Sequence, residues 1–259
     1  MPIHNGFYYT EYNHEINYHP TVILLHGAGS DHLCWPAEFR RMPGQRVIAL
    51  DLPAHGKSAG AAQQTIRGYT DKIIDFLGLV GISRAYFIGH SMGGNIALNL
   101  ALNYPEHTAA AILIASGAHL NVPTEILSGL RSPITAQKAL NQLQQVLYAT
   151  LKDPELARKS IQTLKSSRLS LLYSDWTACS DFDLRPQVEK ISPPLWCANG
   201  TRDPFAPPAC GHFLSHKAKN GKNKVFHGGG HMLMLEHPQL LSQEINAFIN
   251  HLNKTLYPI

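Results

Sequence analysis

The 259 residues are 44% hydrophobic and 15% charged, enough apolar material for one large domain with a sizeable core, which excludes a disordered chain. The net charge of +4 is dispersed, with no Lys/Arg run longer than two, which excludes a nucleic-acid footprint.

Phe7–Tyr12 alternates weakly and is rich in aromatics, as an edge strand would be. Val22–Leu25 is a short apolar run ending in His26-Gly27-Ala28-Gly29, and Arg46–Leu50 is another, ending in Asp51-Leu52-Pro53. Ile66–Leu79 carries apolar residues at helical spacing, with Thr65 placed to cap its start. Ala85–Ile88 reads as a buried strand and the Ala- and Leu-rich Asn95–Asn103 as a helix. Another strand is predicted at Ala111–Ala115. From about residue 120 to 183 the alternation breaks: Gln137–Leu151 and Glu155–Leu169 read as helices and no β run is convincing. Pro123 and Pro133 mark the start of this stretch, and Pro186 stands just past its end. Leu195–Ala198 and Lys224–Phe226 then read as strands, Phe205–Lys217 and Pro238–Leu252 as helices.

Strands alternating with helices predict an α/β fold with a parallel sheet, its turns gathered at the carboxyl edge where ligands of such sheets bind. Residues 1–119 and 184–259 are expected to form the core domain, and 120–183 a helical cap over that edge. The four cysteines, Cys34, Cys179, Cys197 and Cys210, include no C-x-x-C pair, and Cys197 lies in an apolar run. No window of roughly 18 residues is uniformly apolar, so no membrane span is expected. The Met-Pro-Ile-His-Asn-Gly start shows no signal-peptide pattern. Thiol usage and missing signals together suggest a cytoplasmic protein.

The chemistry is carried first by Gly89-His90-Ser91-Met92-Gly93, a Gly-x-Ser-x-Gly pattern between predicted strand and predicted helix. There a serine sits on a sharp turn with helix amides pointing at the reacting oxygen. A serine hydroxyl needs a general base, and the base needs a carboxylate to hold its tautomer. His231, in the Gly-rich His227–His231 loop after the last strand, is the candidate base. His227 competes, but at a strand end its side chain is expected to pack. Asp203, directly after the Leu195–Ala198 strand, is the candidate acid, in Ser…Asp…His order. Asp181 and Asp183 lie near the end of the insertion, and Asp51 precedes the serine. The oxyanion would be met by the backbone N–H groups of Met92 and Ala28. His212 and His216 stand one helical turn apart without a third ligand, so no metal is expected.

These loops resemble those of the α/β-hydrolase superfamily, from His26-Gly27-Ala28-Gly29 through Asp51–Ser58, Gly89–Gly94 and Gly200–Asp203 to Gly229–His231, in the same order and spacing. The resemblance implies an eight-stranded, mostly parallel sheet, a cap inserted after the sixth strand, and a cofactor-free Ser–His–Asp site. One departure is Ala54, where the Asp-x-x-Gly-x-Gly turn usually has its first glycine.

Serine at 91 argues against epoxide hydrolases and haloalkane dehalogenases, which resemble this chain but place Asp there. The chain also lacks the His-Gly-Gly-Pro-Gly turn of proline iminopeptidases and the Gly-Pro-Gly extension and Gly-Asn-Ser elbow of many carbon–carbon bond hydrolases. The predicted function is a carboxylesterase-type serine hydrolase acting on a small to medium ester or thioester, an apolar substrate being read from aromatics near the site. The alternatives are a C–C bond hydrolase or acyltransferase on the same triad, or a ligand receptor built on this fold. Trp35, Leu120, Tyr148, Tyr173, Trp176, Phe182, Met232 and Met234 are candidate pocket walls. A monomer and a homodimer are equally compatible with the sequence.

Overall fold

The computed structural model describes residues 3–257. In chain order the elements are β1 (Ile3–His4), β2 (Phe7–Tyr12), β3 (Thr21–Leu25), α1 (Ala37–Arg40), β4 (Val47–Leu50), α2 (Ile66–Val80), β5 (Ala85–His90), α3 (Met92–Asn103) and β6 (Thr108–Ile114). Four helices follow without a strand: α4 (Thr124–Leu130), α5 (Pro133–Leu147), α6 (Pro154–Ser166) and α7 (Leu169–Asp181). The chain then returns through β7 (Leu195–Gly200), α8 (Pro208–Lys217), β8 (Gly221–Phe226), α9 (Leu233–Glu236) and α10 (Pro238–Leu256).

The sheet runs β1-β2-β4-β3-β5-β6-β7-β8. It has eight strands with the two-residue β1 counted and seven without it. Strands β3 to β8 are mutually parallel; β2 runs antiparallel to β4, and β1 antiparallel to β2. Phe7–Tyr12 is therefore not the edge, because the short β1 pairs on its outer side. The chain leaves β3 to one side for β4 and returns to its other side as β5. That reversal opens a crevice beyond the carboxyl ends of β3 and β5. Register places Leu25 opposite Gly89, so the turns leaving the two strands lie side by side.

Strand side chains alternate between two cores. Ile23, Leu25, Phe87 and Leu113 face α2 and α3; Val22, Leu24, Ile88 and Ile112 face the α10 side, where Phe39 of α1 also packs. The α2 boundaries follow local chemistry, with the Thr65 hydroxyl accepting the Gly68 N–H at 3.0 Å and Gly81 closing the helix at φ 68°. Helix α5 begins four residues before its predicted start, since Ser132 caps it and Pro133 occupies the first turn. Helix α8 starts three residues later than predicted, beyond the turn at Asp203 and Pro207. The helices α4 to α7 carry an apolar cluster of their own, including Leu130, Leu143, Leu164, Leu172 and Trp176, which closes over Phe205 of the core.

Candidate active site

Between β5 and α3 stands a single residue, Ser91, at φ 52° and ψ −115°. Its N–H still belongs to the sheet, donating to the Ile114 carbonyl at 2.9 Å. Its carbonyl already belongs to the helix, accepting the N–H groups of Gly94 at 2.9 Å and Asn95 at 3.2 Å. So sharp a reversal brings backbones into contact: a Cβ on Gly89 would lie 2.1 Å from the Gly93 oxygen, and one on Gly93 would lie 2.0 Å from the Leu25 oxygen. Only glycine fits either place.

The serine hydroxyl lies 2.9 Å from His231 Nε2, and His231 Nδ1 lies 2.9 Å from Asp203 Oδ2. All three residues are buried. Asp203 Oδ1 accepts the amides of Phe205 at 2.9 Å and Ala206 at 3.1 Å. Burial works against the Asp203 charge, yet His231 and these amides hold its carboxyl below the usual carboxylate range. The His231 ring rests edge-on against Phe205, with centroids 5.0 Å apart. His90 faces the His231 carbonyl through Nε2 at 2.9 Å. Burial and the neighbouring His231 push His90 down to about 3, so the ring is neutral and Nε2–H donates to that carbonyl. Glu236 grips the loop from the far side, accepting the Gly230 amide at 2.7 Å and the Met232 amide at 3.1 Å.

A cavity of about 420 Å³ opens above Ser91. Gly27, Ala28, His90, Ser91 and His231 form its floor; Leu147, Tyr148, Leu156, Leu164, Trp176, Met232 and Leu235 supply apolar walls; Arg158, Lys159 and Gln162 of α6 also line it. Met92 opens α3, so its N–H has no acceptor within the helix. The residues are thus arranged for proton transfer from Ser91 to His231, beside amides able to receive an anion.

The Alpha/beta hydrolase family profile matches residues 22–244. The chain belongs to the alpha/beta hydrolase family. A 2-hydroxy-6-oxononadienedioate/2-hydroxy-6-oxononatrienedioate hydrolase of Comamonas testosteroni is 29% identical over 237 residues, covering 83% of this chain and 82% of that protein. The 3-oxoadipate enol-lactonase 1 of Acinetobacter baylyi is 26% identical over 241 residues, covering 89% of this chain and 88% of that protein. Among solved structures, the enol-lactonase from Burkholderia xenovorans LB400 superposes with a TM-score of 0.86 at 20% identity, over 94% of this chain and 96% of that one.

Within this alpha/beta hydrolase, the structure brings Ser91, His231 and Asp203 together and places Ala28, Tyr148, Trp176 and Met232 at the cavity. Five candidate wall residues lie elsewhere. Trp35 is fully buried against Phe39, 5.3 Å between centroids, because the 3-10 turn His32–Cys34 directs it into the core beneath the sheet. Tyr173 packs half-buried against the apolar cluster of the helical excursion; one helical turn away, Trp176 faces the cavity. Leu120, Phe182 and Met234 are core residues. His227, expected to pack, is exposed in the turn after β8. Asp51 is an anchor, accepting the His32 N–H and facing His32 Nδ1, each at 2.7 Å, and accepting the Lys57 N–H at 2.9 Å. The aliphatic walls and the bracing roles of His90 and Glu236 were missed. Leu147, Leu156 and Leu164 show in the sequence only as one face of ordinary amphipathic helices.

Proposed function

We propose that this protein is a serine hydrolase that cleaves a carboxylic ester or thioester of a small to medium, apolar substrate. The observation that carries the reading is the continuous Ser91–His231–Asp203 relay at the floor of an apolar-walled cavity. Ser91 Oγ attacks the carbonyl carbon while His231 Nε2 takes its proton, and Asp203 holds the Nδ1–H and stabilises the imidazolium. The oxygen that gains charge is received by the N–H groups of Ala28 and Met92. His231 then gives its proton to the leaving alkoxide or thiolate. A water, deprotonated by the same imidazole, hydrolyses the acyl-enzyme and frees the acid and Ser91.

Residues 120–183 act as a cap that supplies Leu147, Tyr148, Leu156, Leu164 and Trp176 to the substrate wall. The 420 Å³ volume falls at the small end of the ~300–1,000 Å³ typical of small-molecule sites. The enol-lactonase relative supports the ester reading, since a lactone is an internal ester. The dienedioate hydrolase relative favours a second reading, carbon–carbon cleavage on the same triad.

Hydrolysis of p-nitrophenyl acetate, butyrate and octanoate by wild type and Ser91→Ala tests the proposal. Multiple turnover, abolished by Ser91→Ala, is the expected result. Turnover that survives in pure Ser91→Ala protein would sink it. A single burst with retained product would favour a receptor, and ring-fission diketone turnover without ester turnover would favour the carbon–carbon hydrolase.

A further inference from the structure

The turn that carries Ala28 is gripped by a buried polar cluster outside the relay. Asp175, in the middle of α7, is fully buried. Its Oδ2 accepts the Gly29 N–H at 2.9 Å and meets His55 Nε2 at 2.7 Å, and its Oδ1 accepts the Tyr69 hydroxyl at 2.6 Å. His55 Nδ1 faces the Pro53 carbonyl at 3.0 Å. Both ring nitrogens therefore meet acceptors, which the doubly protonated ring satisfies. Burial disfavours that charge, but the charge and hydrogen bond of Asp175 outweigh it, and the His55 pKa is raised. A buried carboxylate in a helix of the excursion is thus paired with an imidazole of the core, and the same oxygen, Oδ2, accepts the N–H of the Ala28–Gly29 peptide.

The neighbouring peptides are held as well. The Ser167 hydroxyl donates to the Gly29 carbonyl at 2.8 Å. On the other side, His26 Nε2 accepts the Leu52 N–H at 3.0 Å and His26 Nδ1 lies 2.8 Å from the Gly27 carbonyl. Burial and the nearby His55 push His26 down to about 3, so it is neutral and Nδ1–H donates. Each peptide is planar. Holding the Gly27 carbonyl orients the Ala28 N–H, and holding the Gly29 N–H fixes the following plane. Helix α7 sits directly on the turn: Gly29 is at φ 65°, and a Cβ there would meet Leu172 Cδ2 at 2.1 Å.

We infer that Asp175 is a positioning residue for the reaction: its carboxylate fixes the Ala28–Gly29 peptide, so that seating of α7 and completion of the oxyanion site are one event. The inference rests on the reading of Ala28 as an oxyanion donor. It makes the helical excursion part of the catalytic geometry as well as of the substrate wall.

The test compares wild type, Asp175→Asn and Leu143→Ala. The last removes a fully buried side chain from the apolar cluster of the excursion and leaves the hydrogen-bonding groups around Asp175 in place. Three quantities are measured: kcat and KM on p-nitrophenyl butyrate, the Ki of an alkyl boronic acid whose tetrahedral serine adduct places an oxygen in the oxyanion site, and amide exchange across residues 26–30. Asp175→Asn is expected to lower kcat by about 10- to 100-fold with KM within about threefold, and to weaken the boronate in step. Exchange at residues 26–30 should quicken. Leu143→Ala should lose stability but keep kcat within about threefold. An Asp175→Asn enzyme with wild-type kcat, a change confined to KM, or an equal kcat loss in Leu143→Ala would overturn the inference. If Asp175→Asn does not fold, Tyr69→Phe, which deletes one of the three donors, should lower kcat by roughly three- to tenfold at constant KM; an unchanged kcat overturns the inference there too. Faster exchange in a protein whose wild type neither turns over esters nor binds the boronate would overturn the oxyanion reading of Ala28 itself, and the inference with it.

Discussion

Replacing Ser91 by glycine should leave a more stable protein than replacing it by alanine. Ser91 holds φ 52° and ψ −115°, left-handed space that costs a non-glycine residue about 1–3 kcal/mol. Both replacements delete the hydroxyl that meets His231, so the comparison isolates the backbone. Glycine forfeits roughly 0.5–1 kcal/mol through the extra freedom of the unfolded chain. The difference leaves glycine ahead by about 1 kcal/mol, which for a domain of this size moves Tm by roughly 2–4 °C. Urea unfolding of the two variants at pH 7, followed by tryptophan fluorescence and far-UV circular dichroism, measures it, with equal m values required. An alanine variant as stable as the glycine variant, or more so, would refute the claim that the elbow holds its nucleophile under backbone strain.

Three further outcomes are expected. Ala54 stands at φ 69°, so Ala54→Gly should stabilise the protein by roughly 0.5–1 kcal/mol in the same urea assay; a loss of stability would contradict this. His26 and His90 are held at about 3 against an ordinary value of 6.5, so the unfolded chain takes up protons that the folded one refuses. Stability should therefore fall as pH drops from about 6.5 toward 3, by about 2 kcal/mol per histidine at pH 5. His55 works in the opposite sense: its raised pKa gives a contribution that is full below about 6.5 and is lost as pH rises through the folded value. A urea midpoint unchanged between pH 7 and pH 5 would contradict the burial of neutral His26 and His90. Trp176→Ala should enlarge the cavity wall and raise the octanoate-to-butyrate ratio of kcat/KM by about tenfold. An unchanged ratio would place Trp176 outside the acyl path.

Much of this molecule is legible in its sequence because its signals are local. An apolar run ending in Gly-x-Ser-x-Gly and entering a helix specifies the elbow. Strand ends carrying Asp203 and the Gly-rich His231 loop place the other two groups once the sheet is taken as parallel. What was not legible depends on distant packing. Whether Trp35 lines a pocket or fills the core is decided by the direction of the turn before it. Tyr173 and Trp176 share a helix, and the rest of the excursion decides which one sees the cavity. Asp175 lies in the apolar stretch Leu169–Cys179 and finds Gly29, His55 and Tyr69 at sequence separations of 146, 120 and 106 residues. An acid placed among apolar residues of a buried helix was the one available signal, since such a group must be paired.

Covalent trapping tests the central claim most directly. Wild type, Ser91→Ala and His231→Gln would be exposed to a fluorophosphonate and examined by intact mass and peptide mapping. One phosphonyl group per chain on Ser91 is expected, absent from Ser91→Ala and formed far more slowly in His231→Gln. A folded wild-type protein that takes no label, or takes it at another residue, would contradict the assignment of Ser91 as the nucleophile.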